Sequence, residues 1–196
     1  MLKVHTLPLG DYQTNCYIIY EASSKTCCVI DPGYYGDTVL DHVDSLGLEV
    51  EAVLLTHGHF DHVGGVKEIA AETDCKVYLC GEDLSMPPMM TGGPLFCTHT
   101  YQEGTQLKLA GLEIGVLHTP GHTPGSVCLV VETSIFSGDT LFAGSCGRTD
   151  LPGGDWATIM KSLSRLKNLE GNFWIYPGHG GASTLRDEKK YNPYLR

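Results

Sequence analysis

Apolar residues recur along this chain in two rhythms. Short runs rich in β-branched and aromatic residues, bounded by Gly, Asn, Ser or Pro, predict strands at residues 4–9, 16–20 and 27–30. At 38–46 the rhythm changes to helical: Val39, Leu40, Val43 and Leu46 share one face, and Gly47 stops the helix. Residues 50–55 read as a buried strand, 65–72 as a second helix and 76–79 as a further strand. The second half repeats this grammar. Strands are expected at 106–109, 112–117, 126–132, 135–136 and 173–176, with an amphipathic helix at 156–166. Residues 86–99 lack periodicity and contain Pro87-Pro88, Met89-Met90 and Gly92-Gly93. They are expected to be a surface loop, long enough to serve as a pocket wall.

Two mixed halves, each ending its strands in polar clusters, predict an α/β layered sandwich with a site at one edge of the sheets. The length of 196 residues suits a single domain spanning 1–196. A formal charge of −10 disfavours nucleic acid and anionic membrane surfaces as partners, because both select Lys/Arg clusters. No apolar run approaches the roughly 20 residues that span a bilayer. The start Met1-Leu2-Lys3-Val4-His5 lacks the apolar core of a signal peptide, so a cytoplasmic location is expected. The eight cysteines are scattered without a C-x-x-C pair, and in that compartment they are expected to be free, mostly buried thiols.

The chemistry concentrates in Thr56-His57-Gly58-His59-Phe60-Asp61-His62, directly after the apolar run Val53-Leu54-Leu55. Three imidazoles and a carboxylate at the end of a buried strand are costly unless something pairs with them, and they are ligands that zinc and similar cations favour. Thr119-Pro120-Gly121-His122-Thr123-Pro124-Gly125, Ser137-Gly138-Asp139 and Pro177-Gly178-His179-Gly180 also follow apolar runs. Glycine beside each candidate ligand allows a sharp turn and close backbone approach. The seven candidates exceed what one tetrahedral ion takes, but suffice for two ions if one carboxylate bridges.

In this order the motifs resemble the metallo-β-lactamase superfamily, and with Asp31-Pro32-Gly33 the resemblance covers most of the chain. The run 136–155, FSGDTLFAGSCGRTDLPGGD, and the closing Arg186-Asp187-Glu188-Lys189-Lys190-Tyr191-Asn192-Pro193 resemble its short glyoxalase II-like (hydroxyacylglutathione hydrolase-like) branch. The resemblance implies a four-layer αββα sandwich. It assigns His57, His59 and His122 to one metal, Asp61, His62 and His179 to the other, and Asp139 to both. Two divalent ions are implied, zinc first, with iron or manganese as alternatives. Asp31 then supports the His-rich loop from behind the ligands. The implied reaction is hydrolysis of a 2-hydroxyacyl thioester, a small molecule, by a metal-bridging hydroxide that Asp61 helps to orient.

Arg148, in Gly144-Ser145-Cys146-Gly147-Arg148, occupies the place where glyoxalase II enzymes hold a glutathione carboxylate, so substrate binding is expected of it. The competing reading is an ion pair with Asp150 or Asp155. Glyoxalase II enzymes also carry a C-terminal helical domain, which has no counterpart in this chain, so a more open pocket is expected. Persulfide dioxygenases share the scaffold and a GCGRTD-like run, which 146–150 resembles. They hold one iron, here through His57, His122 and Asp139, and form the alternative class; lactone hydrolysis is a third. His118 reads as a hydrogen-bonded structural histidine and Cys146 as a packing residue.

Overall fold

The computed structural model describes residues 1–196. In the first half, the strands are β1 (Leu2–Leu9), β2 (Thr14–Glu21), β3 (Thr26–Ile30), β4 (Glu49–Leu54), β5 (Lys76–Cys80) and β6 (His99–Tyr101). They form one sheet in sequence order. The β1–β2 and β2–β3 pairs are antiparallel, whereas β3 to β6 run parallel. The second sheet has the order β14-β13-β10-β9-β8-β7. Its strands are β7 (Gln106–Leu109), β8 (Leu112–His118), β9 (Val127–Val131), β10 (Ser134–Gly138), β13 (Trp174–Pro177) and β14 (Ser183–Thr184). A small hairpin, β11 (Leu141–Phe142) with β12 (Ser145–Cys146), stands apart from both sheets.

Alternation along the strands separates three cores. Tyr17, Ile19, Ile30 and Leu54 face Ile114, Leu129 and Phe136 of the opposite sheet in a central layer. Their neighbours Ile18, Val29, Val53 and Leu55 point outward, onto α1 (Gly36–Ser45) and α3 (Val66–Thr73) through Val39, Val43, Val66 and Ile69. Cys128, Ile135 and Ile175 pack under Ile159, Leu163 and Leu166 of α5 (Trp156–Lys167) and Leu185 of α6 (Leu185–Tyr191). This is the α/β, αββα arrangement expected from the sequence. A fully buried Phe136 or Leu129 contributes about 1.5–3 kcal/mol through removal from water. Helix α5 starts where the Asp155 carboxylate accepts from Thr158 N at 2.7 Å, a cap that contributes about 1 kcal/mol.

The elements expected from the sequence lie within one or two residues of their predicted bounds; α6 and the short elements were not expected. Residues 86–99 are not wholly irregular: they include α4 (Pro88–Thr91) and begin β6. A 3-10 turn covers Gly81–Ser85, and α2 (Phe60–Val63) lies inside the His-rich motif itself. One-turn helices and two-residue strands are too short to express a period. No helix is long and apolar enough to cross a membrane, and all eight cysteines are free, six of them buried.

The topology gathers the motifs at one edge. Because β3, β4 and β5 are parallel, Asp31, His57 and Asp83 leave the carboxyl ends of adjacent strands on the same side. In the other sheet β10 and β13 are parallel, which sets Asp139 beside the loop of His179. The two sheets are tied there by Val127 N donating to Thr56 O at 2.9 Å and Asn15 N donating to Gly178 O at 2.7 Å.

Candidate metal centre

The seven candidate ligands converge at one cleft: His59, Asp61, His122, Asp139 and His179 line it, and His57 and His62 are buried. The ligand atoms form two groups, His57/His59/His122 and Asp61/His62/His179, each with its members within 4.8 Å of one another. In the first, His59 Nδ1 faces His122 Nε2 at 2.9 Å. In the second, Asp61 Oδ2 lies 3.2 Å from His179 Nε2 and 3.6 Å from His62 Nε2. The Asp139 carboxylate reaches both groups: Oδ2 is 3.4 Å from His122 Nε2 and 3.5 Å from His179 Nε2, and Oδ1 is 3.5 Å from His62 Nε2.

Outer partners aim the rings. His57 Nδ1 meets Thr56 Oγ1 at 3.1 Å, His62 Nδ1 meets Asp31 Oδ2 at 2.9 Å, His122 Nδ1 donates to the Arg148 carbonyl at 2.8 Å, and His179 Nδ1 donates to the Tyr12 carbonyl at 3.1 Å. With Nδ1 the donor in each, the Nε2 lone pair of all four turns inward. His59 alone presents Nδ1. Asp31 reaches its position with φ of 50°, a left-handed conformation that Asp tolerates better than most residues. Its carboxylate also accepts from Thr56 N at 2.7 Å and Thr56 Oγ1 at 2.6 Å, which locks the start of the motif. Glycine is required at Gly178, where a Cβ would collide with Asp139 Oδ1.

The two groups differ in electrostatics. Burial, reinforced by the neighbouring imidazoles, pushes the pKa of His57 well below its usual value and that of His59 down to about 4. These rings are held neutral. Burial acts on His62 in the same direction, but Asp139, Asp31 and Asp61 override it and raise its pKa to about 9. Burial would also raise the pKa of Asp61, yet the hydrogen bond from His179 and the charges of His62 and His179 take it well below the carboxylate range. The carboxylate-rich group therefore favours positive charge at its centre.

The residues fit metal ions on this structure's own terms. His57 Nε2, His62 Nε2 and Asp139 Oδ1 are buried without a protein partner, a costly state unless another group satisfies them. Imidazole and carboxylate oxygen are ligands for zinc, iron and manganese.

The cleft above has a volume of about 550 Å³ and an apolar rim that includes Tyr12, Phe60, Met89, Met90, Phe142 and Leu151. Residues 86–99 thus do form part of its wall. A groove of about 600 Å³ near Leu117, Val130 and Phe173 holds none of the candidate ligands. Arg148 lies on the rim of the cleft, 60% exposed, and its guanidinium grips Asp150 through two hydrogen bonds of 2.7 and 2.8 Å. The ion pair is thus the one anticipated alternative, and the backbone of Arg148 has the unanticipated task of holding His122. Cys146 lines the cleft and His118 is hydrogen-bonded.

Sequence reasoning missed Asp83 and Thr14. Asp83 is fully buried. It accepts from Gly58 N at 2.8 Å and Thr123 Oγ1 at 2.9 Å on one oxygen, and from Gly125 N at 2.6 Å on the other. It thereby joins the loop of His59 to the loop of His122. An Asp three residues past a strand end, as in Gly81-Glu82-Asp83 after Cys80, was the available signal. Thr14 Oγ1 donates to Asp61 Oδ2 at 3.1 Å and carries no such signal.

Residues 9–179 match the model of a family described as the metallo-beta-lactamase superfamily. The chain belongs to the metallo-β-lactamase superfamily. It is 33% identical to the hydroxyacylglutathione hydrolase GloC of Haemophilus influenzae, over 99% of this chain and 98% of that one. Among solved structures, the BLEG-1 B3 metallo-beta-lactamase superposes with a TM-score of 0.89 at 34% identity, covering 100% of this chain and 99% of that one. TTHA1623 in a di-iron-bound form gives 0.87 at 36%, over 98% and 100% of the two chains. ETHE1 from Myxococcus xanthus gives 0.87 at 27%, over 97% and 83%. The superfamily's fold and a His/Asp metal-binding cluster are thus present, and the chain is a metal-dependent hydrolase of this superfamily.

Proposed function

We propose that the chain is a dinuclear thioester hydrolase of glyoxalase II type, acting on 2-hydroxyacyl esters of a small thiol such as glutathione. The observation that carries this reading is the Asp139 carboxylate lying between two complete ligand groups under an open, apolar-rimmed cleft. The 33% identity to a hydroxyacylglutathione hydrolase supports the substrate class. His57, His59 and His122 would hold one ion, Asp61, His62 and His179 the other, and Asp139 both, with zinc favoured and iron or manganese as alternatives. When bound, two such ions supply Lewis acidity and lower the pKa of water towards neutrality.

The chain's own residues do the rest. Asp61, fixed by Thr14 and His179, orients the attacking water towards the thioester carbonyl. Met89, Met90 and Phe142 seat the apolar part of the substrate and thin the water around it. Arg148 takes the carboxylate of the thiol carrier by exchanging it for Asp150, which its exposure permits. A thiolate leaves readily, so no Ser–His or Cys–His nucleophile is needed.

A second reading, a mononuclear iron persulfide dioxygenase using His57, His122 and Asp139, draws on the similarity of 146–150 to that class and on the contact between His122 Nε2 and Asp139 Oδ2. Metal analysis of natively purified protein, a panel of thioesters and lactones, and an oxygen electrode with glutathione persulfide separate the readings. Two ions per chain with chelator-sensitive thioester turnover support the proposal. A single iron, oxygen uptake and no thioester turnover defeat it.

A further inference from the structure

Three ligand-type side chains converge away from the catalytic cleft. Cys80 ends β5, Glu82 lies in the 3-10 turn that follows, and His118 ends β8. Their sulfur, carboxylate and ring-nitrogen atoms lie within 4.8 Å of one another. Cys80 is buried, His118 half-buried and Glu82 exposed. Cys80 Sγ donates to Glu82 Oε2 at 2.8 Å. His118 Nε2 donates to the Pro124 carbonyl at 2.8 Å, which leaves Nδ1 with the lone pair. A backbone carbonyl holding one ring N–H is a usual way in which a ligating histidine is oriented.

We propose that Cys80, Glu82 and His118 form a third divalent-cation site, of a thiolate–carboxylate–imidazole type suited to zinc, whose fourth position faces solvent beside Glu82. Thiolate with imidazole selects zinc over magnesium or calcium. Bond lengths of about 2.3 Å to sulfur and about 2.0 Å to oxygen place tetrahedral ligands about 3.5 Å apart. The exposed Glu82 carboxylate therefore needs to retreat by less than about 1 Å from its present 2.8 Å. Binding releases the Cys80 thiol proton to solvent. The ion joins β5 of one sheet to β8 of the other, one residue from the Asp83 that ties the ligand loops together, so its role is to brace that end of the sandwich.

The seven cleft ligands include no cysteine, so a thiolate-to-cobalt charge-transfer band reports on this site alone. Protein retaining its cleft metals is titrated with Co²⁺ and followed in the near ultraviolet. One further equivalent bearing the band is expected in the wild type and in Cys146→Ser, with none in Cys80→Ser. Glu82→Gln and His118→Gln should each raise the Kd by about tenfold or more. At the same zinc concentration, the rise in Tm should be larger in the wild type than in Glu82→Gln. No band in the wild type, a band that survives Cys80→Ser or vanishes in Cys146→Ser, or full affinity in Glu82→Gln overturns the site. If Cys80→Ser fails to fold, Glu82→Gln decides, because Glu82 lies on the surface. The readout is independent of thioester turnover.

Discussion

Asp83→Ala removes the carboxylate that joins the two loops of the first ligand group. Three donors lose their acceptor: Gly58 N, Gly125 N and Thr123 Oγ1. Thr123 keeps Ser126 Oγ at 2.8 Å, so its hydroxyl remains satisfied. Two buried N–H groups are left without partners, at about 1–3 kcal/mol each. Burial also raises the pKa of Asp83, so the ionised carboxyl is itself held at some cost, and the net loss should fall near about 2–4 kcal/mol. Asp83→Asn should lose about half as much, because an amide can accept on one side only and faces one N–H with its own. Urea unfolding of the chelated proteins measures this without metal linkage. Metal titration then tests placement: affinity at the group containing His59 and His122 should fall by about 10- to 100-fold, with the Asp61 group less affected. Unfolding of Asp83→Ala within about 0.5 kcal/mol of the wild type, or a loss confined to the Asp61 group, would refute the role of Asp83 as the tie between the loops.

Other outcomes follow from the same geometry. Asp139→Ala should lose both ions, since its carboxylate touches both groups; two ions retained on elemental analysis would falsify the shared role. Arg148→Ala should raise KM for carboxylate-bearing thioesters more than it lowers kcat, and Asp150→Asn, which frees the guanidinium, should lower that KM. Gly178→Ala places a methyl against Asp139 and His62; it should cost about 1–3 kcal/mol by overpacking and weaken metal binding, both read by thermal unfolding with and without chelator. The pKa of Glu103 is lowered, chiefly by its hydrogen bond to Arg165. The pair's contribution is complete above the unfolded-state value of about 4.3 and fades as pH falls through the lower folded value. Both partners are about half exposed, so Glu103→Gln should cost no more than about 1 kcal/mol at neutral pH and little near pH 3, compared by urea midpoints.

The apolar runs pointed to a layered sandwich because both faces of each central strand are buried. Ile18 and Ile19, or Val53 and Leu54, serve opposite cores and appear as continuous apolar runs. Elements of one turn or two residues carry no such period. Helix α2, the β11–β12 hairpin and β14 exist because neighbouring chain closes around them, as when Glu188 accepts from Gly144 N at 2.8 Å and Asn192 donates to the Phe142 and Ser145 carbonyls.

The site divides along a similar line. The candidate donors could be picked out in the sequence because imidazoles and carboxylates stand beside glycine at strand ends, and the fold brings them together. What only the tertiary structure decided was which atoms face which. His62, His122 and His179 turn Nε2 inward because their Nδ1 atoms meet oxygens from elsewhere in the chain, His57 does so against the neighbouring Thr56 hydroxyl, and His59 presents Nδ1. Asp83 joins loops 25 and 40 residues away through hydrogen bonds, and the Arg148 carbonyl holds His122 while its side chain pairs with Asp150. A sequence specifies the donor types present; partners distant along the chain are chosen only when parallel strands bring their ends to one edge.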